Sequence, residues 1–396
     1  MVVTAPDKKQ NKRVTQPVSQ DDHVVIAGHD CGNNTLVMVY AFDKKTLKAP
    51  KTFKSQSWIT EHIGSLHNLT PMSNSKGMTF TYRKGNPEFE GRTFLCGRSA
   101  LAKKGASRAT LIGDDKENKV SFGLPMLLFS LASQLDRRSI NAIVVSNTHK
   151  GSLKRRLKDS LTGNHEIEIL SRNTQGDLAF TPCTITVRSS VTQEGLGGLW
   201  HLSGAGDTEG NHVIDFTTMN LLIDGGGGTF DVLLIEDGQV LRSRSVSIGG
   251  NTIVNELLTL PTFQELFPES INIDREQVEL AIKNGSWTYK KGDVNVNFSK
   301  VGKDKISEFI PIWKSVIDDV ALDNVIDKTT LIGGLFETKY NGDPNGEPDV
   351  QSPWSLAEIL QDQFINHDFV LPEDPQSTNA KGLFEMAIDL HEKLGK

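Results

Sequence analysis

The sequence is poor in cysteine and has no long apolar run. Its 396 residues include three cysteines, Cys31, Cys96 and Cys183, which are widely spaced and form no C-x-x-C pair. This argues against a disulfide framework or a cysteine zinc site, and it favours a reducing compartment, the cytoplasm. Because no apolar run is long enough to span a bilayer and residues 1–22 lack the apolar centre of a signal peptide, we expect no membrane-spanning segment and no secretion.

A strong excess of one charge is also missing. The chain has 43 Lys and Arg against 49 Asp and Glu, a formal net charge of −6. Covering DNA or an anionic membrane requires clustered cations, so we expect no direct binding to nucleic acid or membrane. The basic residues 154–158 are predicted to form the solvated face of a helix, because Leu153, Leu157 and Leu161 repeat on its opposite side.

Several common catalytic motifs are absent. The sequence contains no G-x-x-x-x-G-K-[ST] P-loop, no G-x-G-x-x-G that opens a helix, no H-E-x-x-H zinc motif and no G-x-S-x-G nucleophile elbow. These absences argue against a P-loop nucleotidase, a Rossmann dehydrogenase, a zinc protease and an α/β-hydrolase.

The most informative motif present is residues 224–231, Asp-Gly-Gly-Gly-Gly-Thr-Phe-Asp, which lies between two apolar runs. This pattern predicts a β-hairpin whose glycines let backbone N–H groups approach a phosphate without a Cβ clash. Asp224 ends the first strand, where it could hold a hydrated Mg²⁺, and Asp231 could bond backbone amides of the turn. The residues expected to contact phosphate are Gly226, Gly227, Gly228 and Thr229.

A weaker version of the same pattern lies near the start of the chain. Apolar runs on both sides of residues 30–35 predict a first hairpin within residues 23–40. We expect Asp30 to face Asp224 across the metal ion. The expected phosphate donors of this turn are Gly32, Asn33, Asn34 and Thr35. A hairpin that uses glycine and asparagine only for its turn is the alternative at both places.

Two glycine pairs complete the candidate site. Gly333 and Gly334 follow a predicted long helix and a strand, and we expect them to lie against a nucleoside. Gly249 and Gly250 precede a predicted helix, whose N–H groups they would bring near the nucleotide. Either pair alone is more typical of a simple turn.

The order of these motifs resembles the actin-like ATPase superfamily, and most closely its ParM/StbA-type plasmid-segregation actins. Residues 26–35 resemble the first phosphate loop of that superfamily, residues 224–231 its D-x-G-G-G-T-F-D second loop, and residues 330–334 its adenosine motif. Residues 191–198 resemble the V-x-P-E-x-x-x-A/G segment between the loops. Residues 377–383 resemble the closing A-N-A-x-G helix start.

The resemblance implies an α/β, actin-like (ribonuclease H-like) two-domain ATPase with an interdomain nucleotide cleft. Residues 1–22 would be a flexible tail. Domain I would comprise residues 23–216 and 377–396, with a small subdomain at about 43–96. Domain II would comprise residues 217–376.

The resemblance also implies a function: hydrolysis of ATP with Mg²⁺, coupled to dynamic filaments that segregate plasmid DNA through a ParR-like DNA-binding adaptor in the cytoplasm. Glu194 would orient or deprotonate the attacking water, with Asp30 and Asp224 around the metal. The alternative for Glu194 is a cap on the helix it begins. Leu335 and Phe336 follow the glycine pair where the family often has small residues, so the choice between ATP and GTP is left open.

Three other functions of this fold stay open: a monomeric regulatory or chaperone-type ATPase, a small-molecule kinase and a membrane-anchored divisome actin. A kinase needs an aspartate base over a substrate cleft, which the sequence does not locate. A membrane actin needs a cationic amphipathic end, whereas the last predicted helix carries Asp389 and Glu392. Filament formation separates the first function from these.

Overall fold

The computed structural model of the protein contains two mixed β-sheets, each covered by helices. It describes residues 24–32, 35–42, 46–101, 118–135, 138–148, 151–204, 213–215, 217–283, 286–336, 356–364 and 366–395. The predicted tail, Asn33 and Asn34 lie outside these residues. Within the described ranges, no helix is long and apolar enough to cross a membrane.

The first sheet has ten strands. In chain order they are β1 (Val24–Cys31), β2 (Thr35–Ala41), β3 (Lys51–Gln56), β4 (Ile59–His62), β5 (Ser73–Asn74), β6 (Gly77–Lys84), β7 (Thr93–Gly97), β8 (Ser139–Thr148), β9 (Gly163–Arg172) and β10 (Leu178–Gln193). Their spatial order is β3-β2-β1-β8-β10-β9-β6-β7-β4, with β5 paired to β6. The neighbours β1, β8 and β10 are parallel, so their carboxyl ends meet at one edge of the sheet.

The second sheet repeats this pattern with five strands. The remaining strands are β11 (Asn220–Gly225), β12 (Phe230–Glu236), β13 (Gln239–Val246), β14 (Thr288–Lys291), β15 (Val294–Asn297), β16 (Lys328–Ile332) and β17 (Phe369–Val370). The sheet order is β13-β12-β11-β16-β17, while β14 and β15 form a separate hairpin. Strands β11, β16 and β17 are parallel neighbours, as β1, β8 and β10 are in the first sheet.

The second sheet therefore has the same topology as the β3-β2-β1-β8-β10 part of the first: three antiparallel strands followed by two parallel ones. Asp30 and Asp224 both occupy the last position but one of the first strand, in β1 and β11. The predicted repeat of two hairpins with an aspartate at the turn is confirmed.

In the described part of the chain, ten α-helices lie around these sheets. They are α1 (Arg98–Leu101), α2 (Asn118–Gln134), α3 (Lys154–Leu161), α4 (Leu196–Leu202), α5 (Gly250–Thr259), α6 (Pro261–Gln264), α7 (Arg275–Lys283), α8 (Ser299–Ala321), α9 (Leu356–Gln363) and α10 (Pro375–Leu394). Helices α2 and α3 cover one face of the first sheet and α10 the other, because alternate residues of a strand point to opposite faces. Helices α5 and α8 cover one face of the second sheet, and α4 covers the other.

Helices α4 and α10 cross where both have glycine. A Cβ atom on Gly382 would lie 1.7 Å from the carbonyl oxygen of Gly197, and one on Gly28 of β1 would lie 2.2 Å from the backbone nitrogen of Phe384. Backbones can approach this closely only where no side chain intervenes. Helix α10 therefore lies directly against both β1 and α4. Because α10 covers the first sheet and α4 covers the second, this contact connects the two sheets.

Prolines lie within β10 and at the start of α10. Strand β10 tolerates Pro182 because this part of it pairs with β9 alone; pairing with β8 starts at Thr184. Helix α10 begins at Pro375 because proline suits the first helical position and Asp374 caps the helix.

The strands of the predicted small subdomain, β3 to β7, all belong to the first sheet. Strand β3 lies at one edge, and β4 to β7 lie at the opposite end beyond β9. The domain boundaries themselves stay predictions.

Candidate functional site

The glycine-rich turn of the second hairpin is fastened to helix α5 through its carbonyl groups. The Gly250 amide donates to the Gly226 carbonyl over 3.1 Å, and the Asn251 amide donates to the Gly227 carbonyl over 2.7 Å. A Cβ atom on Gly249 would lie 2.5 Å from the Gly226 oxygen, so this contact requires glycine. Gly249 and Gly250 thus support the turn, and a direct contact between them and a ligand stays a prediction.

The amide groups of the same turn face the other way. In a trans peptide the N–H of one residue points opposite to the carbonyl of the residue before it. Since the carbonyls of Gly226 and Gly227 point towards α5, the N–H groups of Gly227 and Gly228 point away from it. Both residues are half-exposed. Consecutive outward N–H groups form a concave site for an anion such as a phosphate.

The base of this hairpin carries two nearly buried carboxylates. Asp224 on β11 pairs in register with Asp231 on β12, and the two residues are 9% and 8% exposed. Gly333 follows β16 with φ +96°, and a Cβ atom there would lie 2.5 Å from both Asp224 Oδ1 and the Gly225 oxygen. The structure therefore brings Gly333 to Asp224.

The residues after Gly333 pack beneath the second hairpin. A Cβ atom on Gly225 would lie 2.7 Å from the Phe336 ring and 2.8 Å from Leu335, and Phe336 is fully buried. Gly334 lies beside the Gln376 amide. Contact between the Gly333–Gly334 pair and a nucleoside stays a prediction.

Asp30 of the first hairpin is held by two side-chain amides. Asn147 of β8 donates to Asp30 Oδ1 and Asn379 of α10 donates to Asp30 Oδ2, each over 3.1 Å. Close to this turn, a Cβ atom on Gly32 would lie 2.9 Å from the Thr35 carbonyl oxygen. The sequence analysis does not identify Asn147 or Asn379 as candidate residues. Asn147 follows shortly after the apolar run of residues 142–145, and Asn379 lies in the A-N-A-like segment.

Glu194 lies at the same sheet edge, immediately after β10. Its amide donates to the Thr148 carbonyl over 3.0 Å, and Gly195, with φ +84°, is the residue that precedes α4. Helix α4 begins at Leu196, so Glu194 does not itself begin the helix, and both roles expected of its carboxylate stay predictions. Because β8 separates β10 from β1, the strands that end near Glu194 and Asp30 lie two strand spacings apart, about 10 Å. Glu194 is also two residues further along than the residue of β10 level with Asp30.

The start of helix α10 joins the two parts of the site. The Gly333 amide donates to the Pro375 carbonyl over 3.0 Å, and Asn379, which bonds Asp30, is four residues further along the helix. Four residues advance a helix by about 6 Å. The ends of β1 and β11 therefore meet at the first turns of α10.

An ion pair fixes this helix start to the first sheet. Lys54 of β3 lies 3.2 Å from Asp374, the residue that precedes α10. Burial works against ionisation of Asp374, but the hydrogen bond from Ser377 and the Lys54 charge hold the pKa of the carboxyl below its usual range.

The donor set at this site suits a hydrated magnesium ion. No group of three or more His, Cys, Asp or Glu side chains that could hold a metal occurs among the described residues. Asp30 and Asp224 are single carboxylates on separate sheets. Mg²⁺ keeps several waters and is bound through one or two carboxylates together with substrate phosphates, so these residues fit it.

Comparisons with known proteins give the fold. No protein-family model matches the chain, and no curated protein matches its sequence. Among solved structures, Bacillus thuringiensis ParM with AMPPNP is 17% identical with a TM-score of 0.61, over 93% of this chain and 99% of that one. A crystallised archaeal actin homologue is 14% identical with a TM-score of 0.64, over 93% and 99%.

A third similar structure is a Bacillus thuringiensis ParM hybrid with ADP that contains two ParM mutants. It is 17% identical with a TM-score of 0.61, and the match covers 96% of this chain but only 50% of the hybrid. These identities are low, and what the matches share is the arrangement of strands and helices. The chain has the mixed α/β fold of the actin-like proteins, close to that of ParM.

Proposed function

We propose that the protein is an actin-like ATPase that binds a nucleotide with Mg²⁺ between its two sheets. The observation that carries the proposal is the orientation of the second hairpin turn. Its carbonyls bond α5, so the amides of Gly227 and Gly228 point outward at the carboxyl end of β11. The ParM structures with AMPPNP and ADP support the choice of ligand.

The proposed roles follow from position. The outward amides of the second turn hold phosphate oxygens, together with the Thr229 hydroxyl and the residues of the first turn. Asp30 and Asp224 hold the water shell of Mg²⁺, an ion that would offset the phosphate charge. Gly333 and Gly334 border the nucleoside.

Glu194 is the proposed group that aligns the attacking water. Phosphoryl transfer depends mainly on positioning and on charge stabilisation, with one side chain orienting the nucleophile. The strands that end near Glu194 and Asp30 lie about 10 Å apart, which leaves room for a phosphate and a hydrated metal between the two side chains.

We propose further that hydrolysis drives assembly and disassembly of a filament of this chain in the cytoplasm. A ParR-like adaptor would connect that filament to plasmid DNA. The likeness to ParM supports this proposal. The connection of the two sheets through α4 and α10 supports it too, because a nucleotide bound between the sheets would bias their relative position.

The test combines phosphate release with sedimentation. The full chain is incubated with ATP or GTP, in Mg²⁺ or in EDTA, and followed by light scattering and electron microscopy. We expect Mg²⁺-dependent hydrolysis and a sedimentable filament, and Asp224→Ala should lose both. Hydrolysis without a polymer under any nucleotide or crowding condition would reject the filament and leave a monomeric ATPase. No nucleotide binding at all would reject the proposal entirely.

A further inference from the structure

The carboxylate of Asp30 is clamped between two buried amides. Asn147 is fully buried and Asn379 is 3% exposed, and each donates to one oxygen of Asp30. Neutral donors orient a carboxylate without cancelling its charge. An ionised carboxylate has about four lone-pair positions, so two such bonds leave it able to accept further donors such as metal-bound water.

Asn379 differs from Asn147 by a second bond that leads to the other sheet. Its Oδ1 accepts from the Gly198 amide, in the first turn of α4, over 3.1 Å. Gly198 lies against Ile332 of β16, and α4 shares an apolar cluster with the second sheet. One side chain therefore bonds the first hairpin at one end and a helix packed on the second sheet at the other.

The two neighbours of Asn379 also determine which way its amide faces. The Gly198 N–H is a donor and needs the oxygen of the amide, while the ionised Asp30 carboxylate is an acceptor and needs its nitrogen. A side-chain amide supplies an acceptor and a donor on the same planar group. Aspartate would place a second carboxylate against Asp30, and alanine would break both bonds.

We propose that Asn379 is a positioning residue that sets the orientation of Asp30 according to the position of α4. The inference rests on the proposed function, in which Asp30 holds the water shell of Mg²⁺ beside the nucleotide phosphates. A movement of α4 with the second sheet moves Gly198 and, through Asn379, turns the carboxylate. Metal binding at the first hairpin then depends on how the two sheets are arranged.

The first test measures Mg²⁺ dependence separately from nucleotide binding. Removal of a group that orients a metal-binding carboxylate typically weakens metal affinity or activity by about 10–100-fold. In Asn379→Ala we expect the Mg²⁺ concentration for half-maximal phosphate release to rise by about that factor. Binding of a fluorescent ADP analogue in EDTA should stay at the wild-type value.

Thr378→Val is the matched control. Thr378 is buried on the same turn of α10, but its hydroxyl donates to the Asp374 carbonyl and not to Asp30. It should keep the wild-type Mg²⁺ dependence. If both variants lose ADP binding and Mg²⁺ affinity together, Asn379 only maintains the helix and the inference is wrong.

A charge swap tests the pairing without relying on the alanine variant to fold. Asn379→Asp should lower the melting temperature through repulsion with Asp30. Adding Asp30→Asn restores all three hydrogen bonds, with donor and acceptor exchanged in the bond between residues 30 and 379 alone. The melting temperature should therefore return to the wild-type value. Phosphate release should stay lost, because the carboxylate has left the first hairpin.

The outcomes separate this inference from the proposed function. A wild-type chain that binds no nucleotide overturns both. If the wild type is active and Asn379→Ala has the same Mg²⁺ dependence, this inference alone is wrong. It is also wrong if the double variant Asn379→Asp with Asp30→Asn melts at as low a temperature as Asn379→Asp.

Discussion

Gly333 offers a prediction whose size follows from the structure. In Gly333→Ala the new methyl group would lie 2.5 Å from Asp224 Oδ1 and from the Gly225 carbonyl oxygen. The residue also keeps φ +96°, a conformation that costs an L-residue about 1–2 kcal/mol. Forcing a methyl group into a filled site costs about 1–3 kcal/mol more. The free energy of unfolding should therefore fall by about 2–5 kcal/mol.

The adjacent Gly334 is the matched control for stability. A Cβ atom on Gly334 would lie 3.2 Å from the Gln376 amide nitrogen, which is the far end of a flexible side chain. Gly334→Ala should therefore lower the free energy of unfolding by less than about 1 kcal/mol. Urea denaturation of both variants measures the difference. The displaced Asp224 should also weaken Mg²⁺-dependent nucleotide binding, measured where both proteins are folded. Equal stability of the two variants would contradict the predicted clash at Gly333.

Three further perturbations have defined outcomes. Gly382→Ala would place a methyl group 1.7 Å from the Gly197 oxygen. The free energy of unfolding should fall by about 3 kcal/mol, or the chain should fail to fold. A wild-type melting temperature would contradict the close contact between α4 and α10. Burial lowers the pKa of His165, whose Nδ1 accepts from the Tyr82 hydroxyl. Below about pH 6.5 the unfolded chain gains a proton that the folded chain resists, so stability should fall by up to about 1.4 kcal/mol per pH unit. His165→Gln should remove this pH dependence of stability. Parallel profiles of stability against pH for the wild type and the variant would contradict the prediction. Glu194→Ala should slow phosphate release about 100-fold or more while nucleotide binding and assembly persist; unchanged hydrolysis would remove Glu194 from the mechanism.

The sequence predicted the local elements of the fold well, because each has a strong pattern. The hairpins around residues 30–35 and 224–231 are flanked by apolar strands, and both are present where expected. The two hairpins occupy equivalent positions in the matching five-stranded parts of the two sheets, and the repeated aspartate and glycines indicate this correspondence. The fold likeness to ParM is likewise confirmed by the structural matches.

Contacts between distant segments could not be predicted from the sequence. Nothing local in residues 249–251 indicates that their amides bond the carbonyls of the second turn, since that depends on where α5 packs. The clamp on Asp30 joins residues 117 and 349 positions away in the chain. Hydrogen bonds of this kind leave no periodicity, and only the assembled sheets bring their partners together.

The proposed nucleotide site depends on the outward amides of the second hairpin turn. A crystal structure of the full chain with AMPPNP and Mg²⁺ would show whether they bind phosphate. We expect phosphate oxygens within about 3.2 Å of the Gly227 and Gly228 nitrogens, with the metal between Asp30 and Asp224. A nucleotide bound elsewhere, or amides of this turn bonded to protein acceptors in the presence of the nucleotide, would contradict it.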